Sequence, residues 1–463
     1  MEKRKKNSNF VSSFATFIIV VIHSVLFLFT WYTFYKFKIA DPFYEKGTLL
    51  LISVYLLLFV SFSNIYGGFK IGYYRVSDVI YSQIISIIFV NIITYFQISL
   101  IAREMLNIVG IVVMTIVQAL VTILWAYISN KVYFKHNSAM KVVIIYGNED
   151  VSVFIKKLSM RPDKYNICEM LSIFMGEDAI VENISGCDYD AVMLYDIESH
   201  LRNKILKYCY TNSLKVYVTP KISDIIVGSS DRLHLFDTPL LICKNEGLSY
   251  EQRLVKRMVD IMGSLLLVVL TSPIMIVVSA AIKFSDGGPV LFKQERLTID
   301  NRIFTIYKFR SMVTDAEKDG VARLASKNDE RITSVGRVIR KIRLDELPQL
   351  FNVLCGDMSL VGPRPERPEI AGKYAEIIPE FNFRTKVNAG ITGYAQVLGK
   401  YNTTAYDKLK LDLLYIENYS LVLDIKLLLM TLKILFIPEK AEGVDKGEVL
   451  PGEMFFIKDN KEA

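Results

Sequence analysis

The chain has 463 residues, of which 52% are hydrophobic, and its mean hydropathy is +0.31. This length predicts two or three folded units, and apolar blocks as long as a bilayer is thick exclude an ordinary soluble protein. The net charge of +7 is mild and lies beside the apolar blocks, without a basic stripe of interleaved aromatics. We therefore expect membrane lipid as a partner and no nucleic acid.

Cysteine and histidine usage narrows the chemistry further. Five cysteines show neither a CxxC pair nor metal spacing, so reduced thiols are expected and zinc and disulfide frameworks are excluded. No histidine follows His234. Imidazole therefore cannot be the acid, base or metal ligand of a site in the C-terminal part of the chain.

The first domain, residues 1–135, is predicted to be a four-helix transmembrane bundle. Basic residues concentrate on the flanks that would be cytosolic if the N-terminus lies inside, which predicts that both ends of the bundle are cytosolic. The first apolar block is too long for a signal-peptide core, so we expect it to be retained. The predicted spans are Phe10–Tyr35, Thr48–Tyr66, Val79–Ile101 and Ile108–Ile128.

The second domain, residues 140–247, alternates short β-rich runs with helical stretches, which predicts a small parallel α/β domain. Its first strand ends in Gly147-Asn148-Glu149-Asp150, where a dinucleotide fold would carry GxGxxG. Two acids there would repel a pyrophosphate, so the domain is read as a degenerate Rossmann-like fold. A structural or regulatory spacer and a small-ligand site both remain open for its role.

A fifth apolar stretch, Met258–Ile282, opens the third domain, residues 250–463. Pro273 lies in its middle and removes a helical hydrogen bond, and Ser272 beside it can bond the freed carbonyl. Basic residues flank both ends. We therefore predict a re-entrant helical hairpin over residues 256–283 with its kink at Ser272-Pro273; the alternative is a kinked helix that spans the membrane.

Basic side chains then alternate along a predicted β-hairpin, VLFKQERLTIDNRIFTIYKFRSM. Such alternation suits the binding of phosphate groups, and the alternative is a solvated face on anionic lipid. These side chains are Lys293, Arg296, Lys308 and Arg310.

Asp345 and Glu346 are adjacent carboxylates within VGRVIRKIRLDELPQLFNVLCGDMSLVGPRPE. Asp345 precedes an apolar periodic run with Pro348 in its first turn, which predicts a helix N-cap. The helix dipole and nearby basic residues such as Arg340 are expected to lower its pKa and keep it ionised. An ionised carboxylate can attack phosphorus and bind Mg²⁺; the alternative is a plain cap. Downstream, Gly362-Pro363-Arg364-Pro365 predicts a rigid loop that aims one guanidinium at a phosphate.

From about Lys256 to the C-terminus the chain resembles the bacterial sugar transferases, which are polyprenyl-phosphate phosphoglycosyl transferases. The matching strings are TSP, QER, YKFRSM, RKIRLDELPQLFNVLCGDMSLVGPRPE, GITGYAQVLGKYNTT and DLLYIENYSLVLDIKLLLMTLKIL. The four helices and the α/β domain ahead of this region resemble the long form of the family, as in capsule or exopolysaccharide initiation.

The resemblance implies that Asp345 attacks the β-phosphorus of a UDP-sugar, releases UMP and passes the phosphosugar to undecaprenyl phosphate. Glu346 would assist Asp345 in binding Mg²⁺ or orient the acceptor. Arg340 and Arg364 would hold phosphates, and Lys308 would neutralise the nucleotide sugar. Gln396 and Lys400 would follow in a uridine or phosphate loop. Arg310 of the basic hairpin is expected to bind substrate as well. Lys400 stands where the family commonly has Arg, which leaves its role open.

The whole chain is thus predicted to be a membrane α-helical bundle, a Rossmann-like α/β domain and an α+β catalytic domain with a re-entrant membrane helix. We expect it in the bacterial cytoplasmic membrane with the catalytic domain in the cytosol. Homo-oligomer formation and contacts with polysaccharide-assembly proteins are further expectations. Two rivals are a catalytically silent membrane scaffold or regulator and a membrane nucleotide-sugar dehydratase, although the latter lacks a glycine-rich turn.

Overall fold

The structure is a computed structural model that describes residues 2–39, 45–147, 151–243, 247–313, 329, 331–399 and 403–435, with backbone only at 2–9, 45, 286 and 435. The chain divides into two compact units, Met1–Thr219 and Pro220–Ala463. Each unit is described by itself below.

The first unit begins with four long helices rich in apolar residues, which confirms the predicted N-terminal bundle of apolar helices. They are α1 Glu2–Thr30, α2 Glu45–Tyr66, α3 Val76–Ala102 and α4 Val109–His136. Each is long and apolar enough to cross a membrane. Large aromatic side chains, among them Trp31, Tyr55 and Phe59, fill the interior of the bundle.

The second part of this unit is a four-stranded parallel sheet, as the alternating pattern predicts. Its elements are β1 Met140–Tyr146, α5 Ser152–Ser159, β2 Tyr165–Ser172, α6 Glu177–Gly186, β3 Ala191–Tyr195, α7 Ser199–Thr211 and β4 Lys215–Val218. The strand order is β2-β1-β3-β4. β1 and β3 are apolar on both faces because both faces are covered. Of the predicted Gly147-to-Asp150 turn, residues 148–150 lie outside the described part of the chain.

The second unit opens with α8 Ile222–Gly228, the antiparallel strands β5 Asp231–Leu235 and β6 Thr238–Ile242, and the long helix α9 Tyr250–Asp286. α9 is helical through Pro273, and Ser272 Oγ donates a hydrogen bond to the Val269 carbonyl at 2.8 Å. That carbonyl lies four residues before Pro273, where the proline has no N–H to offer. α9 is the fifth helix in the described part of the chain that is apolar and long enough to span a membrane.

The rest of the second unit builds a mixed fold around one core. The predicted basic hairpin is present as β7 Leu291–Leu297 and β8 Ile303–Phe309, paired antiparallel. Later elements are α10 Ser334–Lys341, α11 Gln349–Cys355, β9 Met358–Val361, α12 Pro368–Ile377, β10 Ala389–Thr392, α13 Tyr394–Leu398, α14 Ala405–Glu417 and α15 Leu421–Leu435. β9 and β10 pair in parallel. The core lies between them and α11, α14 and α15.

Polar residues in the first turns of α9 bind the segments on either side of the predicted site. Arg257 donates to the carbonyls of Val353 and Leu354, at 2.6 and 2.7 Å, near the end of α11. The carboxylate of Asp260 accepts from Ser359 Oγ and from Leu360 N in β9. This end of α9 therefore fixes α11, which follows Asp345 and Glu346, relative to β9, which leads into the Arg364 loop.

Candidate active site

Asp345 and Glu346 lie in a single 3₁₀ turn, Leu344–Glu346, between α10 and α11. Arg343 enters this turn with φ of 55°, a left-handed conformation that reverses the chain after α10. α11 begins only at Gln349, with Pro348 in the capping position. The prediction that Asp345 caps this helix is therefore wrong, because the intervening 3₁₀ turn separates its carboxylate from the first helical N–H groups.

Two cationic side chains form hydrogen bonds with the Glu346 carboxylate. Its Oε1 accepts hydrogen bonds from Lys308 Nζ at 3.3 Å and from Arg364 Nη2 at 3.2 Å. The Glu346 side chain is 15% exposed. Burial alone would raise its pKa, but the nearby charges of Lys308, Arg364 and Arg343 outweigh burial and bring the pKa well below its ordinary value. Glu346 is therefore a fixed anion between two cations.

The pKa of Asp345 is shifted in the opposite direction from that of Glu346. Burial, followed by the negative charge of Glu346, raises its pKa to about 6, against the opposing charges of Lys308, Arg340 and Arg364. The prediction of a lowered pKa is wrong because burial and the negative charge of Glu346 together outweigh the cations around Asp345. A carboxyl with this pKa is still about nine-tenths ionised at pH 7. Asp345 can therefore act as an ionised nucleophile while remaining readily protonated just below neutral pH.

The loop at residues 362–366 places Arg364 opposite Glu346. Proline has no N–H, so Pro363 and Pro365 leave the loop to be held through its carbonyls. Four consecutive carbonyls accept hydrogen bonds: Pro363 from Gly390 N at 2.8 Å, Arg364 from Arg384 Nη2 at 2.9 Å, Pro365 from Arg296 Nη1 at 3.2 Å and Glu366 from Leu297 N at 3.0 Å. A Cβ at Gly362 would collide with the Asn388 carbonyl. The backbone of residues 363–366 is thus fixed by a hydrogen bond to each carbonyl group.

The other predicted site residues are distributed unevenly around Asp345. Lys308 on β8 and Arg340 on α10 are half-buried and contribute to its electrostatic environment. Arg310 is buried with its guanidinium beside Gly288. The side-chain amide of Gln396 on α13 is buried without a hydrogen-bond partner among the described residues. Lys400 lies outside the described residues.

Comparison with known proteins agrees with the resemblance. A family model described as bacterial sugar transferase matches residues 251–438. The uncharacterized sugar transferase EpsL of Bacillus subtilis (strain 168) is 39% identical over 202 residues, which are 44% of this chain and 96% of the relative. The chain belongs to the bacterial sugar transferase family.

Other relatives in the bacterial sugar transferase family carry names that state a reaction. The UDP-N-acetylgalactosamine-undecaprenyl-phosphate N-acetylgalactosaminephosphotransferase of Aeromonas hydrophila is 38% identical over 257 residues, 54% of this chain and 60% of the relative. The UDP-glucose:undecaprenyl-phosphate glucose-1-phosphate transferase of Escherichia coli (strain K12) is 41% identical over 202 residues, 42% of each chain. The match thus spans about two fifths to three fifths of these two relatives.

Asp345 and Glu346 are the residues of this sugar transferase that would hold Mg²⁺. Among the residues that the structure describes, no group of three or more His, Cys, Asp or Glu side chains could hold a metal ion. Mg²⁺, however, usually takes one or two carboxylates and completes its shell with water and substrate phosphates. Asp345 and Glu346 supply such a pair, and the raised pKa of Asp345 means that a cation beside it would relieve repulsion. The pair fits Mg²⁺.

Several residues that support this site were missed by sequence reasoning. Arg384 and Asp412 form a buried ion pair behind the Arg364 loop, with Nη2 and Oδ2 2.7 Å apart. Lys256 and Asp424 form a second, with Nζ and Oδ2 2.6 Å apart. The local sequence shows only the acidic member of each ion pair, as an aspartate within an apolar helical run: Asp412 in LDLLYIE and Asp424 in LVLDIK. Pairing partners distant in sequence cannot be read from such a signal.

Proposed function

We propose that this protein transfers a hexose-1-phosphate from a UDP-sugar to undecaprenyl phosphate, with Asp345 as the covalent nucleophile. The observation that carries the proposal is the unequal carboxylate pair. Glu346 holds Lys308 and Arg364, while the adjacent Asp345 keeps an ionisable carboxylate whose raised pKa matches a working range near neutral pH. The names of the relatives from Aeromonas hydrophila and Escherichia coli support the same reaction class.

The first half-reaction forms a bond from an Asp345 carboxylate oxygen to the β-phosphorus of the UDP-sugar. The bond from that phosphorus to the oxygen bridging the two phosphates breaks, and UMP leaves with the bridging oxygen and the electron pair. Arg364 and Lys308, which contact the adjacent Glu346, would bind the phosphate oxygens. Charge stabilisation of this kind is the main requirement of phosphoryl transfer. The product is a phosphosugar joined to Asp345.

The second half-reaction returns the enzyme to its starting state. A phosphate oxygen of undecaprenyl phosphate attacks the same phosphorus, the Asp345–phosphorus bond breaks, and the carboxylate is regenerated. The lipid then carries the sugar through a diphosphate, and no proton needs to be removed because both nucleophiles are already anionic. Mg²⁺, held by Asp345 and Glu346, would supply charge neutralisation for the phosphate groups.

We also propose that α9 enters and leaves the membrane on the cytosolic side. Its first turns bind α11 and β9 through Arg257 and Asp260. Its last turns pack through Val278 and Ile282 into the same cluster as Phe309 of β8 and Ile339 of α10. Contacts of both ends with one domain support a re-entrant placement, and the exposed apolar side chains between them would face lipid: Leu265, Leu266, Val269, Leu270, Ile276 and Val277.

This placement suits an acceptor that has a lipid-soluble tail and a water-exposed phosphate. The isoprenoid tail of the acceptor must stay in lipid while its phosphate meets a water-soluble nucleotide sugar. A site held at the headgroup level of the cytoplasmic membrane satisfies both demands. We assign the reaction to the start of capsule or exopolysaccharide assembly, with glucose or galactose as the first sugars to test.

The nucleotide product tests the reaction class. Purified protein would be incubated with Mg²⁺, undecaprenyl phosphate and a panel of UDP-glucose, UDP-galactose, UDP-N-acetylgalactosamine and UDP-N-acetylglucosamine. Release of UMP with one or more donors is expected. Release of UDP would contradict the proposal, because it would mean transfer of the sugar without its phosphate.

A further inference from the structure

Arg384 lies buried directly behind the loop that carries Arg364. Only 5% of the residue is exposed. Its Nη2 donates to the Arg364 carbonyl at 2.9 Å, and its Nη1 lies 3.5 Å from Glu366 Oε1. One guanidinium therefore contacts the loop on both sides of Pro365.

The charge of Arg384 is balanced inside the protein by Asp412. Arg384 Nη2 lies 2.7 Å from Asp412 Oδ2, and Asp412 on α14 is 1% exposed. The guanidinium also lies over the ring of Phe381, 5.1 Å from its centroid. A buried guanidinium is costly unless it is paired and hydrogen-bonded. Asp412 therefore neutralises Arg384 in the position from which it contacts the loop.

Exposure separates the roles of the two arginines. The Arg364 side chain is 47% exposed and reaches Glu346, whereas the Arg384 side chain is 6% exposed. A substrate phosphate can therefore meet Arg364 but not Arg384. The contacts through which Arg384 can act on the loop are the Arg364 carbonyl and the Glu366 side chain.

We propose that Arg384 and Asp412 are positioning residues that fix the backbone beneath Arg364, so that its guanidinium meets Glu346 and a substrate phosphate in one place. The inference rests on the proposed function, since it assigns the site a phosphate-bearing substrate. A lysine at position 384 could reach one acceptor but could not bridge the Arg364 carbonyl, Glu366 and Asp412 with a planar fork.

A double-mutant cycle in the full-length, membrane-reconstituted protein tests the proposal. Arg384→Met, Arg364→Met and the double variant would be compared for kcat and KM by UMP release. We expect Arg384→Met to lower kcat/KM about 10- to 100-fold in the wild-type background, as a displaced positioning group does. In the Arg364→Met background the same change should cost less than about twofold, because the group it positions is gone.

Conservative and matched control variants complete the test. Arg384→Lys should recover only part of the loss. Arg302→Met removes an exposed arginine that pairs with Asp357 at 3.2 Å and should keep full activity. If Arg384→Met fails to fold, as judged by its thermal midpoint, Asp412→Asn carries the same cycle because it preserves side-chain size.

Two outcomes would overturn the inference. Equal fold-losses in the wild-type and Arg364→Met backgrounds would show that Arg384 does not act through Arg364, and so would full activity of Arg384→Met. Both results leave the proposed function standing as long as Asp345→Asn abolishes UMP release. An active Asp345→Asn variant would contradict the proposed function itself.

Discussion

Arg364 Nη2 lies 3.2 Å from Glu346 Oε1, although 18 residues separate the two along the chain. The contact decides which of the two adjacent carboxylates is neutralised by protein cations. Glu346 receives Arg364 and also Lys308, and its pKa falls, whereas burial and the charge of Glu346 raise the pKa of Asp345. We therefore interpret the pair as one structural anion and one reactive anion.

Neutralising each carboxylate should change stability in opposite directions. Asp345→Asn should raise the thermal midpoint by about 1–4 °C, because it removes a carboxylate whose ionisation the fold disfavours. Its pKa rises from 3.8 to about 6 on folding, so the folded state loses stability as pH rises through that window. Glu346→Gln should lower the midpoint, because it leaves Lys308 and Arg364 without their shared anion.

Differential scanning fluorimetry of the reconstituted protein at pH 7.5 measures both midpoints. Asp188→Asn, at an exposed carboxylate in the first unit, serves as the control and should leave the midpoint unchanged. A decrease in the thermal midpoint for Asp345→Asn would contradict the inference that the fold disfavours the ionised form of Asp345.

Activity should fall on the acid side with an apparent pKa of about 6. Attack on phosphorus needs the ionised form of Asp345, so kcat/KM should decline as pH drops through the raised pKa of this carboxyl. In Glu346→Gln the neighbouring negative charge is gone, so the acid limb of the residual activity should move to lower pH. Initial rates of UMP release between pH 5 and 8 provide the measurement. A shift of the acid limb to higher pH would be inconsistent with repulsion between Glu346 and Asp345.

Local patterns in the sequence predicted much of the fold. The bundle helices follow from apolar blocks of bilayer length, and the strands of the α/β sheet and the β7–β8 hairpin follow from short apolar or alternating runs. The adjacent carboxylates and the Pro363-Arg364-Pro365 loop were recognisable because each is a compact string. These features depend on neighbours within a few residues.

The electrostatic order of the site could not be predicted in the same way. Lys308 and Arg364 lie 38 and 18 residues from Glu346 along the chain, so nothing local says that they approach Glu346 rather than Asp345. The helix cap was misplaced because Arg343 adopts a left-handed conformation and a 3₁₀ turn follows. No sequence motif indicates the buried pair of Arg384 and Asp412, because the two residues lie 28 positions apart in the chain.

Breaking the buried pair of Lys256 and Asp424 should destabilise the second unit. Lys256 is 6% and Asp424 3% exposed, and Tyr415 Oη lies 2.8 Å from Asp424 Oδ1 and 3.1 Å from the Val361 carbonyl oxygen, within donor reach of either. Lys256→Met leaves a buried carboxylate without its cation, and we expect a loss of about 3–5 kcal/mol in unfolding free energy. Chemical denaturation followed by tyrosine fluorescence in detergent measures it.

Two controls make that result specific. Lys256→Met combined with Asp424→Asn should recover part of the loss, because no unpaired charge remains buried. Lys204→Met removes the exposed partner of Glu177 and Asp178 and should have little effect. A loss for Lys204→Met as large as that for Lys256→Met would argue that burial is not the cause.

Residues at the two ends of α9 should be accessible from the same side of the membrane. Tyr250→Cys and Ser285→Cys place thiols at exposed positions near the two ends of the helix, in a background whose five native cysteines are replaced by serine. A membrane-impermeant maleimide should label both in inside-out vesicles and neither in intact cells. Labelling of only one thiol from each side would show that α9 crosses the membrane, which contradicts the re-entrant placement.

The most direct test of the account is the mass of the protein after incubation with Mg²⁺ and a donor UDP-sugar that supports UMP release, without undecaprenyl phosphate. We predict about one equivalent of UMP per chain and a mass increase of one phosphosugar, located on the peptide that contains Asp345 and absent in Asp345→Asn. Undecaprenyl phosphate added afterwards should remove it. UMP formation only when donor and acceptor are present together, with no adduct on Asp345, would contradict the covalent mechanism.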